Sequence, residues 1–189
     1  MTPQEFIQLK AFARIDGALL SVIWIASFAS YITGMGNSLL MIVGMILAIG
    51  SLFFAAGRTR RFRDTVLNGT ISFKRAYAYT ILMFFYAAVL FAVAQFAYFQ
   101  FIDNGYVISR IIEMMNMEEN KRMIETYGLT EAMNESLELM AKTRPIDYAL
   151  NYLTTNIIIG ITAALPIAAL THRKRPSEGG KQENNQPEE

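Results

Sequence analysis

The chain has 189 residues, 53% of them hydrophobic and only 17% charged, with a net charge of +1. Soluble domains carry about 25% charged residues, so the deficit points to long uncharged runs, and the near-neutral balance gives no support to nucleic acid as a partner. The lack of cysteine excludes disulfides, thiolate chemistry and zinc–cysteine sites.

The chain opens on Thr2-Pro3-Gln4-Glu5, a capping box with proline at the first helical position. Phe6, Leu9, Phe12 and Ala13 follow at helical spacing. The first apolar run, from Ala18 to Ile32, is bounded by Asp16 and by Gly34-Met35-Gly36. Lys10 and Arg14 ahead of it, with small residues at Ser27 and Ala29, partly fit a signal peptide. The capped helix that precedes the run argues instead for a retained span over about residues 15–33. The second run, Asn37 to Gly57, ends abruptly at Arg58 and predicts a span over 37–57. A strongly aromatic third run, Ala76 to Ile102, predicts a span over 76–102. The last, Tyr148 to Thr171, is entered through Pro145 and ended by His172-Arg173-Lys174-Arg175, giving a span over 147–171.

A helix of roughly 20 apolar residues crosses a hydrocarbon core about 30 Å thick. Four such runs cannot all be buried inside one soluble domain of this length. The expected fold is all-α: an integral membrane protein with four transmembrane helices in a single domain, residues 1–175. The short loops set its orientation. Arg58, Arg60, Arg61, Arg63, Lys74 and Arg75 link the second and third spans against only Asp64, and both termini are basic beside the membrane. The segment at about 104–143, between the third and fourth spans, is acidic. Both termini are therefore expected in the cytoplasm of a bacterial inner-membrane protein, with the acidic segment extracytoplasmic.

Within that segment Ile108, Ile111, Ile112, Met115, Ile124 and Tyr127 recur at mostly helical spacing from Tyr106 to Tyr127. Gly128 reads as a C-terminal cap, and a second helix runs from Thr130 to about Lys142 with Met133, Leu137 and Met140 as its stripe. These apolar faces need a partner: each other, the membrane surface, or a second subunit. Ile111, Met115 and Leu137 are the candidate partner-surface residues. The tail, 176–189, has almost nothing to bury and is expected to be disordered.

Gly44 and Ala48, and the row Gly160, Ala164 and Ala168, are small residues at four-residue spacing that let membrane helices approach closely. Pro166 removes a backbone bond and is expected to kink the last span. Gln95 and Asn156 are intramembrane polar candidates, expected at comparable depth and read as interhelical hydrogen-bonding groups. No ionisable residue is expected deep in a span, which disfavours an ion or proton pathway. Met114, Met115, Met117, Met123, Met133 and Met140 raise a Cu(I) site, since thioethers select that ion. Without histidine or cysteine beside them they read better as adaptable apolar surface, and no metal is expected. No triad, P-loop or HExxH motif occurs, so no catalytic residue and no cofactor is assigned.

The basic Arg58–Arg63 segment, Asn68-Gly69-Thr70-Ile71-Ser72-Phe73 before the third span, the Gly128-Leu129-Thr130-Glu131 break within Met114–Met140, and Pro145 together carry a resemblance. The chain resembles a family of small four-span bacterial membrane proteins labelled only as a domain of unknown function. The resemblance covers nearly everything but the tail and implies no activity or cofactor. In the residues themselves, Gly69 reads as a tight bend and Ser72 as the cap of the third helix. The expected function is that of a non-enzymatic component that binds a protein partner or itself. The alternatives are a small oligomeric transporter or channel, and a lipid-directed enzyme using Asp103, Glu113 or Asp147 near the membrane.

Overall fold

A computed structural model of the chain describes residues 2–173, so the 176–189 tail lies outside the described residues. Its elements are helices α1 (Pro3–Gly34), α2 (Ser38–Val66), α3 (Phe73–Phe101), α4 (Tyr106–Met115), α5 (Glu118–Thr126), α6 (Thr130–Lys142) and α7 (Pro145–Thr171). Four of them, α1, α2, α3 and α7, are long and apolar enough to cross a membrane. The chain is an all-α membrane protein with four spanning helices.

Helix ends follow the local chemistry. Thr2 closes its capping box, its hydroxyl accepting from the Glu5 amide at 3.2 Å while the Glu5 carboxylate accepts from the Thr2 amide at 2.8 Å. Asn37 caps α2 and Ser72 caps α3. Asn68 and Gly69 both take positive φ, 52° and 82°, in the turn between α2 and α3. Gly128, at φ +65°, ends α5, and the Leu129 amide reaches back to the Ile124 carbonyl at 2.9 Å. Helix α7 runs unbroken from Pro145 through Pro166 to Thr171.

The helix expected over Tyr106–Tyr127 is interrupted. Helix α4 stops at Met115, Asn116 caps it, and α5 starts afresh at Glu118. Asn120 explains part of the break, because its amide nitrogen donates to the Met114 carbonyl at 2.7 Å and so satisfies an orphan acceptor from outside the helix.

In the bundle α1 packs between α2 and α3, and α3 packs between α1 and α7. Trp24 against Phe84 and Phe91, and Phe28 against Phe91 and Tyr98, show α1 and α3 running parallel. Ser27 to Gly44, with Trp24 to Ser51, shows α1 and α2 antiparallel. At one end α2 also reaches α7, where Arg63 donates to the Thr171 carbonyl at 2.9 Å. There Ile71 and Arg173 exchange both backbone hydrogen bonds, tying the α2–α3 turn to the end of α7. The cations of the α2–α3 link collect at this end, called here the basic end; α4–α6 lie at the other.

Glycines mark the close approaches. A Cβ at Gly17 would meet the Met83 carbonyl and Tyr86 Cβ at 2.7 Å, and one at Gly160 would meet Phe84 Cβ at 2.7 Å.

Candidate functional site

Helix α1 turns Leu9, Ala13, Asp16, Gly17, Leu20 and Ser21 into the bundle. Asp16 belongs to this buried face because it lies seven residues from Leu9 and four from Leu20, the spacing of one helical stripe. It is 3% exposed. Asp16 bounds the first apolar run at the basic end of the bundle, and the structure adds that its carboxylate is buried there between helices.

Burying a carboxylate in a membrane helix is tolerated where charge and hydrogen bonds are supplied by neighbours. Three helices supply them. From α2, Arg58 donates to Oδ1 through Nε at 2.7 Å and through Nη2. From α3, the Tyr79 hydroxyl donates to Oδ2. Tyr79 is fully buried, and its ring stacks on Phe62 of α2 with centroids 4.2 Å apart and planes 6° apart. Phe12 of α1 leans on the same Phe62 at 5.6 Å. At the very next residues of α2 and α3, the hydroxyls of Thr59 and Thr80 lie 3.1 Å apart in a buried contact. Each is also within donor range of its own helix, at the Ala55 and Ala76 carbonyls, both 2.9 Å away. One hydroxyl has one proton to give, so only one of the two can bond to the other while its partner bonds back to its own helix.

The result is a charge-balanced cluster at the basic end. Both oxygens of Asp16 are engaged, and the guanidinium of Arg58 remains partly open at 22% side-chain exposure. Chemically it is a tie between α1, α2 and α3 more than a place for substrate. Toward the start of α1, at the same end of the bundle, Glu5 pairs with Arg75 at 3.1 Å. The Thr2 backbone amide and this arginine hold the Glu5 carboxyl below its ordinary range. A lowered carboxyl contributes stability above its ordinary pKa and loses it as pH falls through the lowered value.

The residues singled out from sequence are placed differently from one another. Gly44 is buried, its carbonyl accepting from Ser27 at 2.7 Å, while Ala48 is exposed, so the row on α2 touches α1 only at the glycine. Gly160, Ala164 and Ala168 are buried as one row, with Gly160 against α3. Gln95 is 1% exposed and its Oε1 has no hydrogen-bond partner. The contacts Phe84–Gly160 and Phe99–Tyr148 fix the antiparallel register of α3 and α7. In that register Gln95 lies opposite about residue 151, roughly a turn away from Asn156 along α7. The expected Gln95–Asn156 pairing at one depth is therefore not formed.

In the α4–α6 segment no residue is buried. Ile111, Met115 and Leu137 are half-buried, as are Met133 and Met140, whereas Ile112, Met117, Met123, Tyr127, Leu129 and Leu139 are exposed. Asp103 accepts from the Gly105 and Val107 amides, Glu113 from Arg110 at 2.6 Å, and Asp147 from Arg144 through both oxygens. These three carboxylates are dispersed among local partners and form no common site.

A family model described as "Protein of unknown function (DUF4199)" matches residues 16–173. No curated protein and no solved structure matches the chain.

Proposed function

Given that the chain belongs to the DUF4199 family, whose function is unknown, we propose that it is a non-enzymatic membrane component that binds a protein partner or a second copy of itself through α4–α6. The observation that carries this reading is that 32 helical residues, 10 in α4, 9 in α5 and 13 in α6, contain none that is buried. Such a segment leaves Ile112, Tyr127 and Leu139 open to water at 42%, 71% and 62%. Exposed apolar groups gathered on one segment mark interaction surfaces. The gathering of Arg60, Arg61, Lys74 and Arg173 at the opposite end supports placing that end in the cytoplasm, with α4–α6 outside a bacterial inner membrane.

A second reading, a small oligomeric transporter, is favoured by one observation, the unpartnered Oε1 of buried Gln95. A single experiment separates the two. The complex is extracted in mild detergent and its mass measured, for the native chain and for Ile112→Ser with Leu139→Ser. A partner-binding segment predicts a complex larger than the monomer that the double substitution dissociates. An unchanged mass overturns it. A homo-oligomer that survives the substitutions, and whose Gln95→Cys variant reacts with a water-borne thiol reagent, favours transport.

A further inference from the structure

On the outer face of the α3–α7 pair runs a crevice of about 240 Å³, lined by Ile81, Leu82, Phe85, Ile157 and Ile161. All five are apolar, and both helices are membrane-spanning, so the crevice faces the region where lipid chains lie. Its end toward the basic side is built differently. Lys74 sits seven residues before Ile81, two turns down the same face of α3, or about 10 Å along the axis. Between them the Tyr77 hydroxyl donates to the Ile161 carbonyl at 3.5 Å. Phe73 stacks on Tyr77, with centroids 6.1 Å apart, and meets the His172 ring edge-on at 6.3 Å. The backbone pairing of Ile71 with Arg173 brings that residue to the same end of the bundle, where its charge also acts on Asp64 of α2. Lys74, His172 and Arg173 are exposed, and among the described residues Lys74 is in no ion pair.

We propose that this crevice binds an anionic phospholipid, with one acyl chain along the α3–α7 groove and the headgroup phosphate at Lys74 and Arg173. Chain and headgroup requirements are met in the right order. The crevice covers about 6 Å of α3, from Ile81 to Phe85, room for a few methylenes of an acyl chain, and Lys74 stands about 10 Å nearer the basic end, where a headgroup would follow. Aromatic rings at Phe73 and Tyr77 stand at the level where the chain meets the headgroup, their usual place in membrane proteins. Charge decides between occupants. A second copy of this chain in parallel orientation would bring the same cations to the same corner, and a zwitterionic lipid brings a cation of its own. An anionic headgroup supplies the negative charge that Lys74 lacks among the described residues.

The test uses the full chain reconstituted in bilayer discs of phosphatidylcholine with a minority of phosphatidylglycerol. Lipid retained after mild detergent extraction is then counted by native mass spectrometry. The native chain is expected to retain phosphatidylglycerol in preference. Lys74→Gln should lower that retention about fivefold, the effect of one cation near a headgroup. Ile161→Trp should lower it by filling the groove without changing charge. Arg60→Gln with Arg61→Gln removes two cations at the same end of the bundle but on α2, and should leave retention unchanged. No lipid preference in the native chain overturns the proposal. So does an equal loss in the Arg60/Arg61 variant, since that result means diffuse attraction to the whole basic end. Helix content by circular dichroism shows whether each variant is folded. If Ile161→Trp is not, the contrast between Lys74→Gln and the α2 double variant still decides.

Discussion

Asp16 and Arg58 stand 42 positions apart and meet inside the bundle, where the carboxylate is nearly sealed and the guanidinium is 22% open. That asymmetry predicts an order of effects. Arg58→Gln leaves a buried, unpaired carboxylate and should cost about 3–5 kcal/mol. Asp16→Asn leaves Arg58 free to turn toward water or headgroups and should cost less. Tyr79→Phe removes one hydrogen bond to a charged acceptor while keeping the stack on Phe62, and should cost about 1.5–3 kcal/mol. Thermal unfolding of the variants in one detergent checks the order; an Asp16→Asn variant less stable than Arg58→Gln would mean that the arginine, not the aspartate, is the trapped charge. Asp16 was legible in the sequence only as a charge at the edge of an apolar run. Its position on the Leu9–Ala13–Leu20 stripe was a usable signal, since a charge on the apolar face of an amphipathic stretch has to be paired.

Glycine acts at the level of the helix pair. Where α7 crosses α3, an alanine at Gly160 would push its Cβ to 2.7 Å from Phe84 Cβ, and the two helices would have to separate. Gly160→Ala should therefore destabilise by about 1–3 kcal/mol. Gly50 and Gly57 of α2 have open space around them. Alanine at either should stabilise by up to about 1 kcal/mol through helix propensity. Equal responses at Gly160 and Gly50 would show that propensity, and not the α3–α7 approach, governs both sites. Small-residue spacing in the sequence pointed to Gly160, Ala164 and Ala168 and to Gly44, all of which are buried. It pointed equally to Ala48, which is exposed. The spacing registers which residues share a face, not where a neighbouring helix ends its contact. The break between α4 and α5 escaped for a related reason: apolar periodicity continues across it, while the Asn120 bond to the Met114 carbonyl needs the chain already bent.

Across the whole molecule burial is uneven. Helix α3, flanked by α1 and α7, has 44% of its apolar stretch buried, against 17% for α2 at the edge of the bundle. Local opening follows burial and contact, so in hydrogen exchange α4–α6 should exchange first and α3 last. Protection of α4–α6 equal to that of α3 in the isolated chain would mean that the segment is already covered. The sequence by itself determined the number of spanning helices, the caps at Thr2 and Ser72, the bend at Gly69 and the helix end at Gly128. Those features depend on run length against bilayer thickness and on hydrogen bonds within a few residues. Only the tertiary structure decided that Asp16 meets Arg58 and Tyr79, that Gln95 lies about a turn from Asn156, and that Lys74 stands below an apolar groove. Each depends on the rotation and register of one helix against another. Those are set by the summed packing of both faces, which no single stretch of chain contains.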